Sequence, residues 1–353
     1  MFGTRELEQS SLPMCLTPHT DDEFEREATW DAHETDEEEV ERIRKRSVGL
    51  RITALIQSGR AAEAVSAFGC EEVAGVFDRL GQACEDKGQG TAALEAYKEA
   101  LQIRKRGHDE HDPRIAESFM QVGSMLQALG QYQRALVCYE RALEIRVVAH
   151  TGTHPSVGEA FSTIGIVSNS LGEGEKALEC FERAVKILSE ARGECDASVA
   201  SAYNGMGIVL RGMGEHHRAL ECYQKDLDIM RKLLGPDHQS IAGTFNNIGN
   251  VYQSQGLYHK ALQYYKHGLQ VMKKSMGAEH VSVAHGCYNL ALLHMKQHSH
   301  GKAKSLFLEC VRIYTKVYGA NHAETHDAIR LAKLCSLSLS HDGGSSSAES
   351  LDV

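Results

Sequence analysis

Three histidines in the last third of the chain have a spacing that can hold a metal ion. His294 and His298 lie four residues apart, and His300 follows closely. Residues at i and i+4 share one face of a helix, and two imidazoles on one face can chelate zinc. In the competing interpretation, His294 occupies an apolar helix position and His298 replaces a helix-ending glycine. The sequence favours this second interpretation, and we expect no metal site.

The other residues that could do chemistry also follow structural positions. The ten cysteines contain no C-x-x-C pair, and Cys138, Cys180 and Cys222 recur at a fixed interval beside an aromatic residue. We therefore expect small, reduced core residues. No glycine-rich phosphate loop follows a strand pattern, and no Ser/His/Asp or Cys/His set stands out. The sequence predicts no catalytic residue and no cofactor, and we expect that the protein is not an enzyme.

A repeat of 42 residues runs through the chain. Alanine recurs at each step of this length, and an aromatic residue follows each alanine by four positions. A small residue precedes each alanine by twelve positions. The alanines are Ala93, Ala135, Ala177, Ala219, Ala261 and Ala303. The spacing defines six units over residues 71–322.

Each unit is predicted to form two helices. In the first helix, apolar residues such as Phe119, Val122 and Leu126 recur at i, i+3 and i+7, which is the stripe of an amphipathic helix. A glycine such as Gly130 ends this helix. A longer helical run, such as residues 133–148, follows. The two helices should contain roughly 16 and 18 residues.

Histidine marks the end of most units. His154, His238, His280 and His322 recur at multiples of 42 residues. Stacked helices lie about 8–10 Å apart and each unit contributes two, so these side chains are too far apart to share a metal ion. We predict that they are loop and N-cap residues.

Both ends of the chain depart from the repeat. Residues 1–37 are acidic and are predicted to be disordered. Residues 38–70 keep the glycine–alanine–aromatic spacing and are predicted to form a degenerate leading helix pair. Residues 323–338 are predicted to form a C-terminal capping helix, which a solenoid needs at its end. Residues 339–353 are predicted to be a flexible Ser/Gly tail.

The order of small residue, glycine, alanine and aromatic residue in paired helices resembles the tetratricopeptide repeat. The 42-residue length, the Leu-Gly-Pro-Asp-His at 234–238 and the run at 245–258 closely resemble the repeats of kinesin light chains. Similar repeats occur in nephrocystin-3-like proteins. The resemblance implies an all-α fold, a right-handed superhelical solenoid of tetratricopeptide helix pairs. It also implies a non-catalytic scaffold or adaptor that binds extended peptide segments of partner proteins.

Kinesin light chains also carry a long heptad coiled coil before their repeats, which holds the heavy chain. Residues 37–56 have helical character, but no apolar a/d pattern extends over three heptads there. The groove depends on the repeats and not on this coiled coil, so we still expect a cargo-adaptor-like groove. The alternative is a kinesin light chain-like motor–cargo adaptor, with kinesin heavy chain or cargo as its partner and an association with the cytoskeleton.

Polar side chains lie opposite the apolar stripe of the first helices in units four to six. In the resembled family, this face lines a concave groove that holds extended peptides, and an asparagine amide can both donate to and accept from a peptide backbone. The other interpretation is the ordinary polarity of a helix surface. The candidate groove residues are Ser201, Asn204, Arg211, Asn246, Asn247, Asn250, Gln253, Tyr288, Asn289 and Lys296.

One second-helix position breaks the repeat in unit four. Asp226 occupies a column that holds Ala100, Ala142 and Ala184 in the preceding units. The sequence leaves two alternatives open, since this carboxylate is either partly exposed or paired.

The single tryptophan lies in an acidic segment. Residues 21–41 contain twelve acidic side chains and one arginine, and Trp30 and Asp31 lie among them. Kinesin light chain grooves take peptides in which acidic residues surround a tryptophan. The resemblance therefore suggests a cis-inhibitory segment that folds back onto the groove. The alternative is a solvated acidic tail.

Charge and hydropathy narrow the class of partner. Residues 21–41 carry −11 and residues 1–20 carry −1, so with −10 for the whole chain the remaining residues carry +2. This body has no basic footprint for nucleic acid. No run approaches 18 uncharged apolar residues, and the N-terminus has no signal-peptide pattern. We expect a cytoplasmic protein whose partners are proteins, without nucleic acid or membrane.

Overall fold

The computed structural model describes residues 48–150 and 152–345, with side chains as far as residue 339. The regular elements in these residues are all α-helices. The chain forms two compact units, Met1–Gly152 and Thr153–Val353.

The first unit contains the leading helix pair and the first two repeats. Its leading pair is short, because α2 has only eight residues. Ile52, Ala64 and Phe77 are buried together and join this pair to the first repeat. The helices are α1 at 48–57, α2 at Ala61–Phe68, α3 at Cys70–Asp86, α4 at Gly90–Gly107, α5 at Pro113–Ala128 and α6 at Tyr132–Ala149.

The second unit contains repeats three to six and a final helix. Its first helices have 16 residues and its second helices 19, close to the predicted lengths. One continuous core runs from Ala177 to Val251, so neighbouring repeats share their buried faces. The helices are α7 at Pro155–Ser170, α8 at Gly174–Arg192, α9 at Ala197–Gly212, α10 at His216–Leu234, α11 at Gln239–Ser254, α12 at Tyr258–Met276, α13 at Val281–Lys296, α14 at His300–Tyr318 and α15 at Ala323–Ser345.

The final helix extends beyond residue 338, where the sequence predicts its end, into residues 339–345 of the predicted flexible tail. Helix α15 packs on α14 through Ala332 and Cys335, which are buried beside Phe307. No proline occurs between residues 336 and 345. The backbone hydrogen-bond ladder therefore continues to Ser345.

The small residue of each repeat lets its two helices meet. A Cβ atom added to Gly207 would lie 2.6 Å from the ring of Tyr223, which is closer than side-chain atoms approach each other. Ala219 lies on the same second helix, four residues before that ring, and is fully buried. In the sixth repeat Ala291 and Phe307 take the two positions. Glycine is thus selected by close packing of the two helices.

Histidine and aspartate side chains cap the first helices. The Nδ1 atoms of His154, His238 and His280 accept the backbone N–H of the serine two residues later, at 3.2, 3.3 and 3.2 Å. The predicted N-cap role is therefore confirmed at these three positions. Because Nδ1 accepts a hydrogen bond, the neutral ring carries its proton on Nε2. Asp112 caps α5 in the same way, with a distance of 2.9 Å to the N–H of Arg114.

Candidate functional site

The candidate groove residues lie on three successive first helices of the second unit, α9, α11 and α13. Ser201 and Lys296 are exposed. The other eight are half-buried, so part of each side chain is withdrawn from water while part stays accessible. The structure therefore shows which of these polar groups bind one another and which are left over.

A polar cluster of Asn204, Asp226, Thr244 and Asn247, here called the Asp226 cluster, connects α9, α10 and α11. The Oδ2 atom of Asp226 accepts the Thr244 hydroxyl at 2.6 Å and the Asn204 Nδ2 at 2.7 Å. Asn204 Oδ1 in turn accepts from Asn247 Nδ2 at 3.2 Å. Two of the candidate groove residues are thus linked across neighbouring repeats, and a buried carboxylate holds the first of them.

The cluster decides between the two alternatives for Asp226. This side chain is only 4% exposed and is paired through hydrogen bonds. Burial raises the pKa of the Asp226 carboxyl, and the hydrogen bonds from Thr244 and Asn204 oppose that rise. The sequence carried a second signal, since Thr244 holds the position of Ala160 and Ala202 in the two preceding repeats. Two polar departures from a small-residue pattern at one repeat junction indicate a pair.

In three repeats a tyrosine of the second helix donates to a side chain twelve residues earlier. Tyr97 donates to Glu85 at 3.3 Å and Tyr139 donates to Gln127 at 3.0 Å. Tyr265 donates to Gln253 Oε1 at 2.9 Å. The position twelve residues before the aromatic is therefore an acceptor for the hydroxyl, a role that sequence reasoning missed.

The amides of the fifth repeat converge on Tyr265. Its hydroxyl lies 2.6 Å from Asn250 Oδ1, in addition to its contact with Gln253. Burial raises the pKa of Tyr265 to about 12, so the hydroxyl keeps its proton at neutral pH. Two candidate groove residues thus use their carbonyl oxygens to satisfy an interior hydroxyl.

The fourth repeat has an arginine at the acceptor position. Arg211 stands twelve residues before Tyr223, so the Tyr223 hydroxyl meets a hydrogen-bond donor in place of the acceptor of the other repeats, and Arg211 Nε is buried without a partner among the described residues. Burial raises the pKa of Tyr223 to about 12, and the positive charge of Arg211 opposes this rise. The same charge opposes the rise at Tyr265. Arg211 therefore lies near the hydroxyls of two successive repeats.

The sixth repeat uses its tyrosine differently. The Tyr288 hydroxyl donates to Asp327 on α15, and Arg330 also binds this carboxylate. Asn289 forms no side-chain hydrogen bond with the described residues. Asn246 Oδ1 on α11 is buried without a partner in the same range. The structure thus places Asn204 beside Asn247, and Asn250 beside Gln253. Tyr288 instead forms a hydrogen bond with the final helix.

The repeats match a known family model. The model described as Tetratricopeptide repeat matches residues 72–146, 114–190 and 198–274, and a second model with the same description matches residues 283–324. The first model alone covers more than half of the chain. The chain belongs to the tetratricopeptide repeat family. The predicted all-α solenoid of tetratricopeptide helix pairs is confirmed. Tetratricopeptide repeats form protein-interaction scaffolds.

Solved structures with the same fold include kinesin light chain-like repeats. BtubC (BKLC) from P. vanneervenii has a TM-score of 0.53 and 18% identity, over 69% of this chain and 92% of that one. The Podosopora anserina putative kinesin light chain with nearly identical TPR-like repeats has a TM-score of 0.50 and 20% identity, over 56% and 94%. The apo form of RapI has a TM-score of 0.53 and 18% identity, over 76% and 99%. These identities show a shared fold alone. The comparison with curated proteins finds no match.

The histidines of this tetratricopeptide repeat protein do not form a metal cluster in the described part of the chain. His294 is 6% exposed in an apolar column, and burial lowers its pKa together with the charges of Lys302 and Lys266. His298 has φ 55, the conformation that glycine adopts at this turn in the other repeats. His294 therefore occupies an apolar position of the helix, and His298 takes the place of the glycine that ends the first helix in the other repeats.

The cysteines of the repeat column pack inside the helix pairs. Cys180 and Cys222 are buried and Cys138 is half-buried. Burial raises the pKa of the Cys138 and Cys222 thiols, so both stay protonated at neutral pH. A protonated thiol is a poor nucleophile and a poor metal ligand.

Two predictions concern other parts of the molecule. Trp30 and Asp31, the predicted cis-inhibitory segment, lie outside the described residues. Among the described residues, no helix has the length and apolar character that a membrane crossing requires.

Proposed function

We propose that this tetratricopeptide repeat protein is a non-catalytic adaptor that binds extended peptide segments of partner proteins. The binding surface comprises the candidate groove residues on α9, α11 and α13. The proposal includes a cytoplasmic location and protein partners, without nucleic acid or membrane.

One observation carries the proposal. Asn247 and Asn289 occupy the same place on successive first helices, 42 residues apart, and both are half-buried. Asn247 Nδ2 donates to Asn204, which leaves its Oδ1 without a hydrogen-bond partner among the described residues. The Asn289 amide has no side-chain partner in the same range. Half-buried amides with free hydrogen-bonding capacity on neighbouring repeats suit the N–H and C=O groups of an extended peptide.

The Asp226 cluster supports the same function by fixing one amide. Asp226 Oδ2 accepts from Asn204 Nδ2, which fixes the orientation of the Asn204 amide. Asn204 Oδ1 then faces Asn247 and accepts from it. This relay leaves the carbonyl oxygen of Asn247 available for a donor of the ligand. A fixed amide loses less conformational entropy on binding than a free one.

Affinity capture from cell lysate, read by mass spectrometry, tests the proposal with the full chain as bait. The variant Asn247→Ala/Asn289→Ala removes both free amides. Its matched control, Gln224→Ala/Gln263→Ala, removes two amides from exposed positions of the second helices α10 and α12. We expect a set of proteins that the wild type and the control retain and the groove variant loses. Equal retention by all three baits would contradict the groove.

A second candidate function is motor–cargo adaptation of the kinesin light chain type. The observation that favours it is the 42-residue repeat, together with the shared fold of the putative kinesin light chain from Podosopora anserina. Binding of purified kinesin heavy chain to the full chain tests it directly. A stable complex supports the motor-adaptor function, whereas no complex at micromolar concentrations leaves the general adaptor.

A further inference from the structure

A cysteine and a histidine meet where the leading helix pair joins the first repeat. Cys70 is the first residue of α3, and His108 directly follows the last residue of α4. The Sγ atom of Cys70 lies 3.4 Å from Nε2 of His108, and both side chains are half-buried. A nucleophilic sulfur and an imidazole are therefore in contact at a place that is partly open to solvent.

The second ring nitrogen of His108 fixes the role of the first. A guanidinium nitrogen of Arg114 lies 3.1 Å from His108 Nδ1. Because a guanidinium only donates hydrogen bonds, Nδ1 accepts this bond and carries no proton. The neutral ring therefore has its proton on Nε2. It presents this N–H to the sulfur of Cys70.

The start of α3 provides a second favourable interaction for the sulfur. Gly69, the N-cap residue, has no side chain that could bind the first backbone N–H groups of the helix. These N–H groups carry a partial positive charge beside Cys70. An imidazole N–H and a helix N-terminus both favour the ionised form of a thiol, which is the form that attacks disulfides.

The carboxylates around this sulfur are paired with arginines. Glu71 Oε1 lies 2.8 Å from a guanidinium nitrogen of Arg104, and Asp112 Oδ2 lies 2.7 Å from one of Arg114. The second oxygen of Glu71, Oε2, lies 3.3 Å from the histidine Nε2 and shares its N–H with the sulfur. A guanidinium thus offsets each of these negative charges.

We propose that Cys70 is a thiol-modification site that reacts with a low-molecular-weight disulfide of the glutathione type. The Cys70 thiolate attacks one sulfur of the disulfide, the S–S bond breaks, and a mixed disulfide forms at Cys70. The other half leaves as a thiolate and takes up the proton that the Cys70 thiol released, so the disulfide itself is the oxidant. His108 acts as a positioning residue through its Nε2–H. The site belongs to the first unit and does not depend on the proposed function.

Other thiols of the chain provide internal comparisons. Cys195 is exposed, but it stands between Glu194 and Asp196, whose charges repel a thiolate and an anionic disulfide. Cys222 is buried, and burial raises the pKa of its thiol. Exposure alone would make Cys195 react before Cys70, whereas the surroundings of the two sulfurs predict the reverse order.

Site-resolved mass spectrometry of the reduced full chain in excess glutathione disulfide at pH 7 tests the proposal. Samples are alkylated at successive times, and the rate of mixed-disulfide formation is measured at each cysteine. We expect Cys70 to react about tenfold faster than Cys195, the effect of a hydrogen bond to a charged group. The buried Cys222 should stay unmodified, which reports that the fold is intact.

His108→Ala removes the N–H donor and opens access to the sulfur. We expect the rate at Cys70 to fall about tenfold, whereas better access or a loosened fold would raise it. The matched control is His111→Ala, which removes an exposed histidine three residues later and should leave the rate at Cys70 unchanged. The rate at Cys195 in each protein is the internal reference.

The rates distinguish the outcomes. A rate at Cys70 that exceeds the rate at Cys195, and falls in His108→Ala but not in His111→Ala, supports the modification site. A wild-type rate at Cys70 no greater than that at Cys195 would overturn it. An unchanged or higher rate in His108→Ala, or an equal fall in both histidine variants, would also overturn the proposal, because the imidazole N–H would then have no part in the reaction.

Discussion

At the scale of single residues, the second unit contains a buried carboxylate whose hydrogen-bond partners are neutral. Burial raises the pKa of Asp226 above its value of about 4 in an unfolded chain. Its protonated form is therefore favoured by folding. The stabilisation that Asp226 contributes through its protonated form is fully present below the pKa of Asp226 in the unfolded chain. It is lost as the pH rises through the pKa of Asp226 in the folded protein.

Asp226→Asn should remove this loss of stability with rising pH. The amide oxygen still accepts from Thr244 and Asn204, while the charge disappears. We expect the variant to have a higher free energy of unfolding than the wild type at pH 7 and the same value at about pH 3, below the unfolded pKa. Urea unfolding over this pH range measures the difference. Asp228→Asn, an exposed change on the same helix, is the control. A difference that does not vary with pH would contradict the buried ionisation.

Two tyrosines of equal burial should respond differently to loss of the hydroxyl. The Tyr265 hydroxyl donates to two carbonyl oxygens, whereas the Tyr223 hydroxyl meets only a donor, Arg211, and has no acceptor for its proton in the described residues. Tyr265→Phe should lower the free energy of unfolding by about 1 kcal/mol, and Tyr223→Phe should leave it unchanged or raise it. Denaturant titration of both variants measures the contrast. Equal destabilisation would mean that Tyr223 has an acceptor after all.

The sequence predicts the side chains of the candidate groove but not their pairing. Asparagines opposite an apolar stripe follow from helical periodicity alone. Their partners depend on atoms of other helices, as with Asn204 and Asp226. The acceptor role of Gln253 could have been found, because Glu85 and Gln127 hold the same position relative to a tyrosine. The corresponding residue before Phe307 is Met295, which matches a ring without a hydroxyl.

At the scale of helices, close packing outweighs helix propensity at one glycine and not at another. Gly207→Ala would place a Cβ atom 2.6 Å from the Tyr223 ring, whereas no atom lies within 4 Å of a Cβ atom at Gly243. We expect Gly207→Ala to destabilise the protein by about 1–3 kcal/mol despite the better helix former. Gly243→Ala, also inside a first helix, should stabilise it by about 0.5–1 kcal/mol. Thermal unfolding measures both changes, and a stabilised Gly207→Ala would contradict the close approach.

Helix boundaries follow the sequence where a local signal exists. Asp112 and the N-cap histidines begin the first helices, and Gly193 and Gly235 end second helices. The end of α15 had no such signal. Residues 336–342 contain neither proline nor glycine, and only the Ser/Gly composition of the following residues predicts the boundary at 338. A tail composition is a weaker signal than a capping residue.

At the scale of the whole molecule, stability in a repeat fold is spread over the contacts between neighbouring repeats. Ala219 is fully buried in the core that joins repeats three to five. Ala219→Glu should therefore open the middle of the second unit and remove its single cooperative transition. Gln224→Glu places the same charge on an exposed position of α10 and should change the unfolding transition little. Calorimetry separates the two, and a cooperative, unshifted transition in Ala219→Glu would contradict the repeat register.

The central claim is that the amides of Asn247 on α11 and Asn289 on α13 bind extended peptides. Selection of a phage-displayed random dodecapeptide library on the full-length wild type tests this most directly, with counter-selection on Asn247→Ala/Asn289→Ala. We expect enriched peptides that bind the wild type and the Gln224→Ala/Gln263→Ala control equally and lose about tenfold or more in affinity for the groove variant, the cost of two lost hydrogen bonds. No enrichment, or peptides that bind the groove variant as tightly as the wild type, would contradict the account.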